Sequence, residues 1–563
     1  MIRLFLALLA LASPALGVEI KETRWGFEGR VVASRFNLLS VRVAHAGPAP
    51  FEGELILRET RGGEQPVGAP LVQPLYLTPG AERWVQFTPF VAAEYDWLLR
   101  WGRKTNEGLT IPPAKFGAPA TVLLVQPGPF NPAGQLRAFP DDLFPSTVSA
   151  TDSLDMVALD HIPRWEASRR EAFLDWVRRG GVVHLLRTGD GFPAFEGDLA
   201  PLNTTTPEER LGAGRIVRHE ATRAGFNPEF LQNAGFPVRE LKPPTEVNYY
   251  AFDNALLRGL ASMTRPEIAW WLIYLLTLVY LGVIGPLHFR WAKRLDYGLS
   301  LGIVGGAVAV FSIAFLVAGK RGAGERQMTH SVGIAHALGG GRYDVTQWLS
   351  AFAVSGDTYK LTHPASSNLY SASSDVENVN GRIFNGRDGR FLVDLPLYSS
   401  RAFMHRAVMT APEDVSVEVE RWDEKAITLR TTKDFPPAEE IWARWNGQFR
   451  RMHFAANQIV LDTSGSWQPE PSFFTPGQMH ALGALELNET KPDAKTLWRP
   501  LIARALGGIE GMLHYSPPRP LPKDQLQLFI YAPVPAAFRL QGKGFGREEG
   551  WVLYVQDIFK PEV

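Results

Sequence analysis

The stretch Ile268 to Leu287, IAWWLIYLLTLVYLGVIGPL, contains no charged residue, and Gly298 to Gly319, GLSLGIVGGAVAVFSIAFLVAG, contains none either. At a rise of ~1.5 Å per residue, each is long enough to cross a hydrocarbon core of roughly 30 Å. Together they predict a transmembrane hairpin over residues 266–319. The connection between them, His288 to Tyr297, carries Arg290, Lys293 and Arg294 against Asp296. Short loops rich in Arg and Lys stay on the cytoplasmic side, which would leave both flanking chains outside. Lys320, Arg321 and Arg326 after the second span argue the other way, so the orientation leans on the amino-terminus.

Residues 1–17 read as a signal peptide: one basic residue, Arg3, an apolar run from Leu4 to Ala12, and small residues at Ala15 and Gly17 that suit a signal peptidase. The expectation is a protein of the bacterial inner membrane, with two spans, amino- and carboxy-terminal domains outside and the short basic loop in the cytoplasm. The 563 residues include no cysteine, which removes disulfides, thiol nucleophiles and cysteine zinc sites together. With 58 basic and 58 acidic residues, the chain has no net charge to attract nucleic acid.

From residue 18 to 113, short extended segments alternate with turn sequences such as Ala46-Gly47-Pro48, Arg61-Gly62-Gly63 and Thr78-Pro79-Gly80. This spacing predicts an all-β, immunoglobulin-like sandwich. Over 114–265 the pattern changes. Thr121 to Gln126, Leu154 to Leu159 and Val182 to Leu186 are continuous apolar runs of the kind buried on both faces in a parallel sheet. Between the last two, Ala172, Phe173, Trp176 and Val177 recur at helical spacing before Gly180-Gly181. Strand, helix, Gly-Gly and strand make a βαβ unit.

The run Leu154-Asp155-Met156-Val157-Ala158-Leu159-Asp160, followed by Arg169 to Val183 with its Gly180-Gly181, resembles a segment of class I glutamine amidotransferase-like domains. In their active form those domains place a cysteine on a sharp strand-to-helix turn beside a histidine. This chain has no cysteine, and no G-x-S-x-G elbow replaces it, so the resemblance implies the fold without the amidotransferase chemistry. Ligands in such sheets sit beyond the carboxyl ends of the strands, making Asp160, His161 and Asp190 candidate cleft residues. A turn or cap is the plainer role for an Asp-His pair there. The order of parts, an exported sandwich, an amidotransferase-like domain and a hairpin whose first helix ends in Gly285-Pro286, resembles a group of uncharacterised bacterial membrane proteins. Its members are often encoded beside MoxR-type ATPases and von Willebrand factor A domain proteins, which implies envelope partners of those kinds.

Gly298, Gly302 and Gly306 recur every four residues and form a flat ridge on the second span for close helix packing, against the first span or another molecule. Residues 320–563 read as a second β-rich extracytoplasmic domain, with tight turns at Asn380-Gly381, Asn385-Gly386 and Asp388-Gly389. Within it, Asp462, Ser464 and Ser466 match the D-x-S-x-S spacing that holds Mg²⁺ in von Willebrand factor A domains. Pro469, Pro471 and Pro476 stand where the following helix should be, and an Asp-Ser-Gly turn is the alternative. These readings lead to an expected multidomain, non-enzymatic envelope scaffold or binding protein, without a cofactor. The alternative is an envelope hydrolase, or a Mg-dependent adhesion-type domain.

Overall fold

The computed structural model describes residues 17–561 except 63–64, 94, 103–106, 127–135, 190, 237–248, 265–269, 322–326, 373–377, 424–425, 456, 463–464, 475–492, 507–508, 511–513 and 516–520. The leader expected over 1–17 falls outside the described residues apart from Gly17. Asp190 and Ser464 fall outside them too.

The soluble body is mostly β. In its α/β part, Ala120–Val125, Leu154–Leu159, Val182–Leu186 and Gly214–His219 lie side by side and parallel, with Arg137–Pro140 parallel at one edge and Glu208–Leu211 antiparallel at the other. Every residue of Ala120–Val125 and Val182–Leu186 is buried, as continuous apolar runs require. The helix Ala167–Arg178 lays Phe173, Trp176 and Val177 into this core. Gly181 is obligatory beneath it, because a Cβ there would sit 2.4 Å from the Trp176 ring.

The residues on either side of the hairpin do not fold apart as the ranges 18–113 and 320–563 imply. One seven-stranded sheet runs Glu107–Ile111, Asp96–Trp101, Phe51–Arg61, Gln65–Leu77, Gly381–Phe384, Arg390–Leu395 and Asp357–Leu361. The junction is the parallel pairing of Ile383 with Leu71, supported by Val379 N–H donating to Gly68 O at 3.1 Å. Leu55, Leu57, Ile383, Phe391 and Val393 share one core, and burying that common apolar face ties the two segments together.

The largest sheet belongs to the carboxy-terminal half. Its centre is formed by Ser399–Thr410, Arg342–Ala353, Met328–Gly339, Glu548–Phe559, Gln525–Pro533 and Glu440–Trp445, in that order. The helix Tyr249–Thr264, within the range read as α/β domain, packs on this sheet instead, placing Phe252, Leu256 and Leu260 against Trp348 and Met404.

The two apolar helices are Trp270–Ala292 and Tyr297–Ala318, each long enough to cross a membrane. The first continues past the expected end at Leu287 through a π-helical turn, Val283–Leu287. Pro286 lacks an N–H, and the wider turn carries the helix past it to Ala292. The connection therefore shortens to four residues, Lys293 to Asp296. Among the described residues, nineteen of the 25 large exposed hydrophobic side chains lie on these two helices. At ~1.5–3 kcal/mol per side chain, leaving them in water would cost more than a domain's whole stability of about 5–15 kcal/mol. Lipid removes that cost, and the chain is a membrane protein.

Candidate active site

The strands Met328–Gly339, Arg342–Ala353 and Ser399–Thr410 are antiparallel neighbours, with His336 opposite Asp344, Ile334 opposite Thr346 and Thr346 opposite Arg406. Side chains alternate between the faces of a strand. Ile334 and His336, Asp344, Thr346 and Trp348, and Met404 and Arg406 therefore share one face. The opposite face buries Tyr343, Val345 and Ala407 in an apolar core. The shared face forms the floor of a cavity of about 240 Å³. Its walls come from the other parts of the body: Arg35 and Phe36 from the amino-terminal segment, Asp152 and Arg179 from the α/β unit, and Arg504 from the helix Trp498–Ala505.

Charge dominates this junction. Arg406 donates to Asp344 Oδ2 at 2.7 Å and to both oxygens of Asp152, one of them at 2.9 Å. Arg179 bridges the same two carboxylates, at 2.6 Å to Asp344 and 2.7 Å to Asp152. Burial opposes ionisation of Asp152, yet Arg406 and Arg179 hold its carboxyl at about 2. Asp344, 1% exposed, is also held well down against its burial by the same arginines. On the far wall, Trp348 Nε1 donates to Asp253 Oδ1 at 3.1 Å, and Arg504 binds both Asp253 oxygens at 3.3 Å while donating to Ser34 O at 2.7 Å.

His336 differs from its charged neighbours. It lines the cavity and makes no hydrogen bond or ion pair among the described residues. Burial, helped by Arg179 and Arg406 and opposed by Asp344, brings its imidazole down to about 4. At neutral pH the ring is uncharged and has a nitrogen lone pair to offer a substrate or water.

The sequence-derived candidates fare differently. Asp160 and His161 do come together at the carboxyl end of Leu154–Leu159, but as a closed clamp. His161 Nδ1 meets Asp160 Oδ1 and Nε2 meets Asp141 Oδ2, both at 3.1 Å, and Arg223 grips both Asp160 oxygens at 2.7 Å. Despite burial, the two carboxylates raise His161, and neither ring nitrogen is left for a ligand. Asp462 follows Gln458–Leu461, which is antiparallel to both neighbours, where a von Willebrand factor A site needs a parallel strand. Gly465 N–H instead turns back to Asp462 O at 3.4 Å, while Ser466 is exposed. No cluster of three His, Asp or Glu suited to a metal occurs among the described residues. A Cβ built at Gly298, Gly302 or Gly306 meets nothing within 4 Å. The first span therefore does not use that ridge, and contact between the helices runs through Tyr280 and Phe311, 5.2 Å apart.

The site residues His336, Asp344, Thr346 and Arg406 were not among the expected ones, because nothing in the order of the chain brings their strands together. The available signal was polar side chains at every second position, as in Asp344-Val345-Thr346, inside otherwise apolar strands.

No protein-family model matches the chain, and no curated protein matches it either. Among solved structures, it is similar to a cycloisomaltooligosaccharide glucanotransferase of Paenibacillus sp., at 7% identity and a TM-score of 0.17, over 80% of this chain and 98% of that one. A glycosyl hydrolase family 2 member from Bacteroides cellulosilyticus gives 9% and 0.16, over 94% and 78% of the two chains. A family 2 beta-glucuronidase gives 8% and 0.15, over 97% and 62%. All three are enzymes by their descriptions, and the expected non-enzymatic scaffold is not kept against them. Scores this low lie beneath a shared fold, so an activity has to be argued from the chain's own residues.

Proposed function

We propose that the chain is a membrane-anchored envelope hydrolase whose reacting centre is the cavity floored by His336, Thr346 and Arg406. The observation that carries this reading is His336: an uncharged imidazole without a partner among the described residues, facing a polar cavity with arginines on its walls. In this mechanism the free ring nitrogen takes a proton from water as the water oxygen attacks the substrate's electrophilic centre. The guanidinium groups of Arg35 and Arg504 stabilise the negative charge that develops as the bond to the leaving group breaks. Asp344 and Asp152 fix Arg406 and Arg179 in place, which sets the floor before substrate arrives. The amidotransferase-like α/β unit contributes a wall to this site, not a nucleophile.

The test is a panel of nitrophenyl esters, phosphates and glycosides offered to the full chain in detergent micelles. His336→Asn is expected to lower kcat on the accepted substrate by about 10²–10⁴, with Tm unchanged. Equal turnover by wild type and the variant would refute the role of His336.

A further inference from the structure

The charges around this cavity do not cancel. Four guanidinium groups, on Arg35, Arg179, Arg406 and Arg504, face three carboxyl groups, on Asp152, Asp344 and Asp253, and burial pushes Asp253 up to about 7, leaving at least one positive charge. The surplus has a location. Arg504 is 3% exposed, and two of its nitrogens are occupied, Nε by Asp253 and Nη2 by Asp253 and Ser34 O. The third, Nη1, is buried without any hydrogen-bond partner among the described residues. Burying a donor of a charged group unpaired costs about 1–3 kcal/mol or more, a cost that a bound acceptor removes. Arg35 also reaches Ser34 O, donating from Nη1 at 3.3 Å, while its Nε lies 3.8 Å from Asp152.

We infer that the cavity is an oxyanion-binding site, with Arg504 Nη1 and Arg35 receiving a phosphoryl or carboxyl group of the substrate. This rests on the hydrolase reading for the word substrate, but not for the binding itself. The phosphoryl and carboxyl alternatives share the same chemistry: a compact group with several acceptor oxygens and one or two negative charges, matched by the fork of a guanidinium. With Arg504 and Arg35 on the wall and His336 on the floor, the anion would be anchored with its neighbouring bond over the imidazole.

The experiment measures Tm and calorimetric binding of the full chain in detergent micelles, with inorganic phosphate and acetate as separate probes and sodium chloride adjusted to constant ionic strength. Phosphate, acetate or both should raise Tm and bind saturably. Response to phosphate alone assigns a phosphoryl group, and response to acetate alone a carboxyl group. Arg504→Gln should abolish the effect. Arg35→Gln, less buried and so safer for folding, should raise Kd by about tenfold or more. No stabilisation of the wild type by either anion, or equal stabilisation of wild type and Arg35→Gln, overturns the inference. Turnover and oxyanion binding, measured together on the wild type, separate the two readings. Oxyanion binding with no turnover by wild type sinks only the hydrolase, whereas turnover with no oxyanion binding sinks only this site.

Discussion

Replacing Arg406 with Leu should do more damage than any surface charge change in this protein. Arg406 lies 5% exposed between Asp152 and Asp344, and its loss leaves two buried carboxylates to share Arg179. Breaking a buried ion pair from one side costs about 3–5 kcal/mol, against about 0–1 kcal/mol for an exposed pair. The acid response gives a second measure. The Asp152 carboxyl drops from 3.8 to about 2 on folding, worth about 2 kcal/mol at ~1.36 kcal/mol per pH unit. Because the folded value is the lower one, this contribution is complete above pH ~4 and is lost as pH falls from ~4 towards ~2. Without Arg406 the carboxyl rises, and acid unfolding should begin at a higher pH. Urea unfolding in detergent, followed by tryptophan emission at pH 7 and through the acid range, measures both effects. A loss under about 1 kcal/mol, with an unmoved acid transition, would show that the junction is solvated and not a buried lock.

Other parts of the molecule give further expectations. His184, His336 and His363 are held down to about 3, 4 and 3, chiefly by burial. Their folded values lie below the unfolded ~6.5, so they contribute stability above pH ~6.5 and lose it as pH falls towards ~4. Thermal melts should show Tm falling across that window, and a flat profile would refute neutral burial. Gly214→Ala should destabilise by about 1–3 kcal/mol, because its Cβ would sit 1.9 Å from Val177 O. Gly302→Ala, with nothing within 4 Å of the new Cβ, should leave the melt unchanged, and a large loss there would reveal a packed ridge.

The α/β unit was legible because its signals are local. The run Val182–Leu186 is apolar and buried from end to end, and Gly180-Gly181 closes a helix whose Trp176 requires the second glycine. The spans were legible for the same reason, although the π turn at Pro286 was not, since a proline inside an apolar run reads as an end. What escaped was non-local. Arg342–Ala353 is buried on both faces, so the alternation at Asp344-Val345-Thr346 does not mark a solvent face, and its functional face exists only once Ser399–Thr410 and Met328–Gly339 flank it. The pairing of Ile383 with Leu71 joins residues more than 300 apart, with the hairpin between them. No residue near either position announces that partner.

That same pairing sharpens the topology. Segments before and after the hairpin complete one sheet and one core, so both must lie on the same side of the membrane, and two spans between them satisfy this. Which side is a question of charge. Arg290, Lys293 and Arg294 at the hairpin tip, against Asp296 alone, favour a cytoplasmic tip and an outer body at about the cost of moving basic residues across the bilayer. With no native cysteine, single probes read this directly. Lys543→Cys, on a side chain 89% exposed, should react with an impermeant maleimide in intact spheroplasts, and Lys293→Cys should react only after lysis. The reverse pattern would place the cavity in the cytoplasm. Labelling of both in intact cells would mean that the helices do not cross the bilayer, leaving lipid contact at one surface to explain their exposed apolar faces.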